Sequence, residues 1–210
     1  WIPSNIWVGV GEMNKADVTF DLDPVYKKAG ITYKQAKCVS IHPEGSSTTD
    51  RGFVTIEHTS KSDLGKSEEL TYDYLINATG PKLNFGATEG LGMGSEIGAN
   101  TVSVCTADHA VHANHELENC IKKMRAGEEQ TLLIGTGHGM CTCQGAAFEY
   151  IFNIEHKLRQ EKVRDKANLV WISNEQFLGD FGMGAMHIDR GGYRTHSKVF
   201  TESIFAERGL

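Results

Sequence analysis

The spacing of hydrophobic residues predicts helices in several parts of the chain. Residues 107–125 place apolar side chains near one face, and residues 195–207 fit a last helix. A shorter helix over 21–30 is favoured by Pro24 near its start and Gly30 at its end. One more helix is predicted by four apolar residues that recur at i, i+4, i+7 and i+11: Ala147, Ile151, Ile154 and Leu158.

Alternating apolar and polar residues predict a β-rich first half. The predicted strands are residues 31–33, 38–41, 52–58 and 69–75. The polar stretch 59–68 fits a turn between two of these strands, and residues 75–81 end a strand in a turn. The glycine-rich stretch 82–101 is predicted to be a loop.

Two short apolar runs in the second half indicate a parallel sheet. The runs, 131–134 and 169–172, are separated by a glycine-rich loop and the predicted helix through Ile151. A strand, a glycine loop, a helix and a strand form a βαβ unit, in which the two strands are parallel. We therefore predict an α/β fold, with a boundary near 105–130 between the β-rich half and this α/β half.

Composition narrows the class of protein. The chain has 210 residues, 40% of them hydrophobic, which is enough for a substantial core. Its formal net charge of −6 argues against nucleic-acid binding, and no apolar run is long enough to span a bilayer. Five cysteines without a disulfide-scaffold spacing favour a reducing compartment. Because the sequence begins with Trp1 and not methionine, we expect an internal piece whose missing ends carry targeting or membrane-binding segments.

The loop after residue 134 resembles a degenerate dinucleotide-binding loop. Gly135, Gly137 and Gly139 would let the backbone approach a pyrophosphate, but the spacing is one residue short of G-x-G-x-x-G. The acidic residue that should follow the next strand, Glu175, lies about twice as far along as usual. We predict a degenerate nucleotide site, with true NAD(P) binding as the alternative.

Three residues near this loop form a small H-x-x-C-x-C cluster. They are His138, Cys141 and Cys143. A zinc site usually has four ligands with C-x-x-C spacing, and no second pair lies at a suitable distance. We therefore predict no metal site and interpret these cysteines as packing residues.

Cys105 is the strongest candidate for a reactive side chain. It follows the strand-like stretch 101–104 and directly precedes a predicted helix. The partial positive charge of a helix N-terminus favours the anionic, nucleophilic form of a nearby thiol, although such a cysteine can also be a packing residue. A proton-relay role is open to His109 if it faces Cys105, whereas Cys38 and Cys120 are predicted to be structural.

The order of several motifs along the chain is more specific than any one of them. They are Ile2-Pro3-Ser4-Asn5, Trp7-Val8-Gly9-Val10-Gly11, the Y-D-Y-L-I-N-A-T-G-P-K-L stretch at 72–83, the S-V-C-T-A-D-H-A stretch at 103–110, and Cys143-Gln144-Gly145-Ala146-Ala147-Phe148-Glu149-Tyr150. This succession resembles the sulfide:quinone oxidoreductases, within the flavoprotein disulfide reductase superfamily. The resemblance runs from residue 1 to about residue 183.

The resemblance implies a fold and a set of site residues. The fold would contain parts of two Rossmann-like FAD/NAD(P)-binding domains with a β-meander and three-layer sandwich character. Residues 1–105 would be an incomplete FAD-binding domain, and residues 106–210 a degenerate NAD(P)-binding-like domain. Cys105 would be the redox cysteine, and the backbone at Cys38 would lie near the adenine of FAD. The turn that passes close to FAD would comprise Ala78, Thr79, Gly80 and Pro81.

The resemblance also implies an activity. Sulfide would be captured as a cysteine persulfide or polysulfide, and electrons would pass through FAD to a membrane quinone. The protein would associate peripherally with the cytoplasmic face of a prokaryotic membrane, and self-association into a homo-oligomer remains open. Rival interpretations are a flavocytochrome c sulfide dehydrogenase flavoprotein, a type II NADH dehydrogenase-like flavoprotein, and a non-catalytic nucleotide-binding module.

The chain departs from the family pattern at several places. It lacks the FAD fingerprint G-x-G-x-x-G and the second redox cysteine, and Leu70 and Thr71 stand where many members have a further cysteine. Asp180 stands where many members have a histidine. We therefore expect that this chain alone neither retains FAD firmly nor turns over sulfide.

Overall fold

The computed structural model describes residues 1–87, 90, 100–136 and 144–210, over which helices and strands are interspersed. The helices are α1 (Asn5–Val8), α2 (Lys15–Val18), α3 (Leu22–Lys28), α4 (Ala107–Arg125), α5 (Gln144–Gln160) and α6 (Ser197–Arg208). The strands are β1 (Ala36–His42), β2 (Phe53–His58), β3 (Ser67–Thr71), β4 (Gln130–Gly135), β5 (Ala167–Ile172), β6 (His187–Arg190) and β7 (Tyr193–His196). The α/β class is thus confirmed at the level of mixed helices and small sheets.

The chain divides into two compact units. The first unit combines Trp1–Phe20 with Asn84–Leu210, and the second is Asp21–Leu83. The first twenty residues join the distant second half because Ile6 and Val10 are buried in the same hydrophobic cluster as side chains of α4 and α5. These bounds differ from the predicted division at residue 105, and the assignment of 1–105 and 106–210 to two cofactor-binding domains stays a prediction.

The first unit contains the predicted βαβ arrangement. Strands β4 and β5 pair in parallel, from Gln130 opposite Ala167 to Gly135 opposite Ile172, and α5 lies between them in sequence. Glycine is required at the end of β4, because a Cβ on Gly135 would overlap the carbonyl oxygen of Ile172. The parallel pair predicted from the two apolar runs is therefore confirmed.

Helices α4 and α5 supply about half of the buried hydrophobic side chains of the first unit. The predicted face of α4 is buried at Ala110, Leu117, Ile121 and Met124. On α5, the predicted stripe is buried at Ile151, Ile154 and Leu158. Both helices pack against β4, and their side chains cover the face of the small parallel sheet that carries Ile134.

The C-terminal part contains an element that the hydrophobic pattern did not predict. Strands β6 and β7 form an antiparallel hairpin directly before α6, which begins at Ser197 and not at residue 195. The hairpin escaped the pattern because its strands are four residues long and mostly exposed, so they carry no apolar alternation. Helices α1 and α2, each four residues long, were missed for the same reason of length.

The second unit is an antiparallel meander in the order β1-β2-β3. Its described core is small, with Phe53 and Ile56 of β2 buried. The predictions for 38–41 and 52–58 are confirmed. The strand predicted at 69–75 instead ends at Thr71, because the paired part of its partner β2 begins at Phe53, directly opposite Thr71.

The strand predicted at 31–33 is wrong. The backbone N–H of Ile31 donates to the Tyr26 carbonyl at 2.9 Å, closing the end of α3, and the Tyr33 ring stacks on Tyr26 with centroids 5.2 Å apart. The segment therefore folds back on the preceding helix instead of pairing with a strand. The helix predicted at 21–30 is confirmed as α3, Leu22–Lys28.

Candidate functional site

Cys105 lies where an irregular segment enters α4. Its side chain is a free, exposed thiol, and its backbone N–H donates to the Ser103 hydroxyl at 3.1 Å. That hydrogen bond closes a tight local turn, because a serine hydroxyl that accepts from the N–H two residues later replaces a backbone turn. The sequence thus sets the local conformation of the cysteine.

The start of α4 is well defined by capping interactions. Thr106 is the N-cap, and its hydroxyl accepts from the backbone N–H of His109 at 3.1 Å. Asp108 in the first turn forms an ion pair with Lys15 of α2. A carboxylate in the first turn also complements the partial positive charge of the helix N-terminus. The helix that begins after Cys105 is therefore fixed at its first turn.

Three residues distant in sequence meet beside the cysteine segment. A Cβ placed on Gly9 would lie 2.8 Å from Val104 Cγ1 and 3.0 Å from Tyr150 Cε2, so the three residues are packed without room for a methyl group. The Tyr150 hydroxyl donates to the Gly9 carbonyl at 3.1 Å. Burial raises the pKa of Tyr150 above its ordinary value, so the hydroxyl keeps the proton that it donates. We call this arrangement of Gly9, Val104 and Tyr150 the Gly9 contact.

His109 is partly buried in the first turn of α4. Its ring lies against Phe85, with centroids 5.2 Å apart. Its Nδ1 is enclosed and has no hydrogen-bond partner among the residues that the structure describes. Across the same residues no hydrogen bond joins His109 to the Cys105 thiol, so the proton-relay role stays a prediction.

The residues expected near FAD all lie in the second unit. Cys38 is exposed on β1, next to an irregularity in the pairing with β2, and its thiol contacts the Ser40 carbonyl at 3.6 Å. Residues 78–81 are exposed and have no regular secondary structure. Asn77 Oδ1 accepts from the Thr79 N–H at 3.3 Å and from its hydroxyl at 2.9 Å, and Gly80 has φ +72. The bonds from Thr79 to Asn77 close a local side-chain turn, but the strand that was predicted to lead into it ends at Thr71, and a contact with FAD stays a prediction.

The structure describes only the start of the nucleotide-like loop. Gly137 and Gly139 lie outside the described residues, and so does the cluster of His138, Cys141 and Cys143. Glu175 is described, and its carboxylate accepts from the Phe181 backbone N–H at 2.6 Å and from the Ser173 hydroxyl at 3.1 Å. Both carboxylate oxygens of Glu175 are therefore used to close its own loop.

Two features are absent from the part of the chain that the structure describes. No helix in the described ranges is long and apolar enough to cross a membrane. Within the same part of the chain, no group of three or more histidine, cysteine, aspartate or glutamate side chains is arranged to hold a metal ion.

The residues that lie far away in sequence and pack against the cysteine segment were not identified from the sequence. Gly9 and Tyr150 were visible only as members of motifs, at opposite ends of the resemblance. The available signal was the glycine of the W-V-G-V-G motif that has ordinary helical dihedral angles, because such a glycine is needed for space and not for backbone freedom.

Comparison with known proteins gives a relative that matches most of the chain. No protein-family model matches the chain. A curated sulfide-quinone reductase from Aquifex aeolicus (strain VF5) is 30% identical over 194 residues, which are 92% of this chain and 37% of that protein. The chain thus spans little more than a third of this relative's length. The similarity confirms the resemblance predicted from the motifs, and over most of its length the chain is similar to sulfide-quinone reductases.

Proposed function

We propose that this chain is part of a flavoprotein that oxidises sulfide and passes the electrons to a membrane quinone, with Cys105 as the nucleophile. The observation that carries the proposal is the state of Cys105, a free and exposed thiol at the start of a helix of 19 residues. It lies in the motif that is most specific to the family, and the relative's name supplies the substrates.

The chemistry needs a thiolate that can be reached by a small anion. A thiolate and a hydrosulfide ion join as a persulfide and release one proton and two electrons, so the step needs a two-electron acceptor. FAD, when bound, supplies that acceptor and delivers the electrons to quinone. Ser103 and Thr106 serve this step by holding the backbone on either side of the thiol. Exposure of Cys105 provides the access that sulfide needs.

The geometry of the second unit is compatible with a cofactor at residues 78–81. Their backbone is exposed, and beyond the chain neighbours no described heavy atom lies within 4 Å of the place where a Cβ on Gly80 would be. A turn without side-chain cover lets a flat ring system approach the backbone closely. We propose that Ala78, Thr79, Gly80 and Pro81 contact FAD, and that the backbone at Cys38 lies near the adenine.

The two-domain assignment belongs to the same proposal. We infer that residues 1–105 contribute to an FAD-binding domain and residues 106–210 to a Rossmann-like domain that does not use NAD(P). In support, both carboxylate oxygens of Glu175 already accept hydrogen bonds within its own loop, and the cavity beside it has a volume of about 200 Å³. Ligand pockets usually measure about 300 to 1,000 Å³.

Membrane partners complete the proposal. A quinone resides in the bilayer, so the intact protein would work as a peripheral membrane protein, on the cytoplasmic face of a prokaryotic membrane. No segment of the described residues is offered as the anchor.

The test is substitution of Cys105 in the intact protein. Cys105→Ser should lower sulfide-dependent quinone reduction by about a hundredfold or more, because it removes a covalent nucleophile. Flavin content, measured by absorbance, should be unchanged. The matched control is Cys120→Ala, a partly buried cysteine further along α4, which should keep most of the activity. Full sulfide oxidation by Cys105→Ser would disprove the role of Cys105.

A further inference from the structure

The Gly9 contact joins three of the motifs that carry the resemblance. Gly9 belongs to the W-V-G-V-G motif, Val104 to S-V-C-T, and Tyr150 ends the motif that begins at Cys143. The hydrogen bond from Tyr150 to Gly9 spans 141 residues of sequence. Motifs at separate places in the chain are therefore in direct contact within the first unit.

Gly9 is needed here for space and not for backbone freedom. Its φ of −64 and ψ of −14 are open to every residue. A methyl group at Gly9 would lie 2.8 Å from Val104 Cγ1, 3.0 Å from Tyr150 Cε2 and 3.2 Å from the Tyr150 hydroxyl. Carbon atoms in contact normally stay about 3.5 to 4.0 Å apart, so a larger residue must push one neighbour away.

The neighbour that can move is Val104, which directly precedes the cysteine. Tyr150 is buried and anchored through its hydroxyl, whereas Val104 is only partly buried and lies in a segment without regular secondary structure. The backbone after Val104 is held by the bond from the Cys105 N–H to Ser103. A shift of Val104 is therefore passed to Cys105.

We propose that Gly9 and Tyr150 are positioning residues for the Cys105 thiol. Tyr150 fixes the backbone of Gly9, and Gly9 sets how closely Val104 can approach, which fixes the place of the cysteine at the start of α4. The catalytic meaning of this placement rests on the proposed function, whereas the placement itself does not.

The test introduces the missing methyl group and then makes room for it. In the intact protein, Gly9→Ala should raise the alkylation rate of Cys105 by about threefold or more, because the displaced segment is looser, and lower kcat for sulfide by about tenfold with little change in KM. In the double variant Gly9→Ala/Val104→Ala, the alkylation rate and kcat should equal those of the single variant Val104→Ala. Tyr150→Phe keeps the ring and removes only the hydroxyl, and should change both values in the same directions by smaller factors.

Alkylation is measured peptide by peptide with iodoacetamide over a range of pH, and Cys38 in the second unit is the internal reference. Gly145→Ala is the matched glycine control, because apart from its chain neighbours and its own helix backbone no described heavy atom lies within 4 Å of its Cβ position. It should leave the labelling of Cys105 unchanged.

Two results would overturn the proposal. One is a folded Gly9→Ala protein whose Cys105 labelling rate and kcat equal the wild-type values. The other is a double variant whose labelling rate and kcat are the same as those of Gly9→Ala alone. If Gly9→Ala fails to fold, Tyr150→Phe decides, and unchanged labelling there overturns the proposal. A wild-type protein that oxidises no sulfide would contradict the proposed function only, because the labelling still measures the placement of Cys105.

Discussion

The buried carboxylate of Glu155 offers a sharp test of how α5, the helix that carries Tyr150, is held. Glu155 is fully buried, and three arginines surround it: Arg159 on the same helix, Arg164 with Nε at 3.7 Å, and Arg208 at the end of α6 with Nη1 at 3.2 Å. Arg164 also donates to the carbonyl of Gly209 at 2.8 Å. One carboxylate thus ties α5, the segment before β5 and the end of α6 together.

Glu155→Gln keeps the volume and removes the charge. The side chains of Arg159 and Arg208 are 55% and 42% exposed, so water replaces much of their lost attraction to the carboxylate. The loss of each of these two interactions therefore costs only about 0.5 kcal/mol. Arg164 is only 19% exposed, and its weakened interaction costs about 1.5 kcal/mol. A buried amide N–H₂ that faces arginines finds no acceptor, which costs about 1 kcal/mol more. We expect a total loss of about 3.5 kcal/mol.

Urea unfolding followed by far-UV circular dichroism measures this loss. A loss of about 3.5 kcal/mol corresponds to a melting temperature lower by about 7 to 14 °C. The control is Glu149→Gln on the same helix, where the side chain is exposed, and it should change the free energy of unfolding by less than about 0.5 kcal/mol. If Glu155→Gln is as stable as the control, the carboxylate does not hold these segments together, and the reasoning from its burial is wrong.

Three further predictions follow from the geometry of the two units. Gly179→Ala should destabilise the protein by about 1 to 3 kcal/mol in urea unfolding, because Gly179 has φ +88 and its Cβ would lie 2.5 Å from the Thr201 hydroxyl. Gly182→Ala has a similar φ of +71, but its Cβ would lie at an ordinary contact distance of 3.7 Å from Gln144 Nε2, so it should cost only about 1 kcal/mol, and equal losses would contradict the steric argument. The pKa of Glu68 is lowered, mainly by a hydrogen bond from a lysine, so its contribution to stability is present above the ordinary glutamate pKa and is lost as pH falls through the folded-state value. As pH falls below the ordinary pKa of glutamate, the urea midpoint of the wild type should therefore fall more steeply than that of Glu68→Gln, and parallel curves would refute this. Finally, the 210-residue chain mixed with FAD and passed through gel filtration should elute without flavin absorbance, and stoichiometric retention would contradict the expectation.

Much of the fold could be predicted because its signals are local. The α4 prediction of 107–125 matches the structure at both ends, since an apolar stripe runs along the helix and Thr106 caps its start. The parallel pairing of β4 and β5 followed from two apolar runs around a glycine loop and a helix. The prediction at 31–33 failed because the ring of Tyr33 stacks on Tyr26, a contact that periodicity does not contain.

In the candidate site, as in the fold, one part can be predicted from the sequence and another part is seen only in the tertiary structure. By itself, the sequence determined that Cys105 stands at the entrance to a helix, and the order of motifs determined the resemblance to sulfide-quinone reductases. Local hydrogen bonds and helix periodicity act over a few residues, so they can be read from the chain. The tertiary structure alone decided that Gly9, Val104 and Tyr150 meet beside that cysteine, and that Glu155 is buried among arginines. Such contacts depend on which distant segments share a core, because burial and close packing are properties of the folded chain and not of any stretch of its sequence.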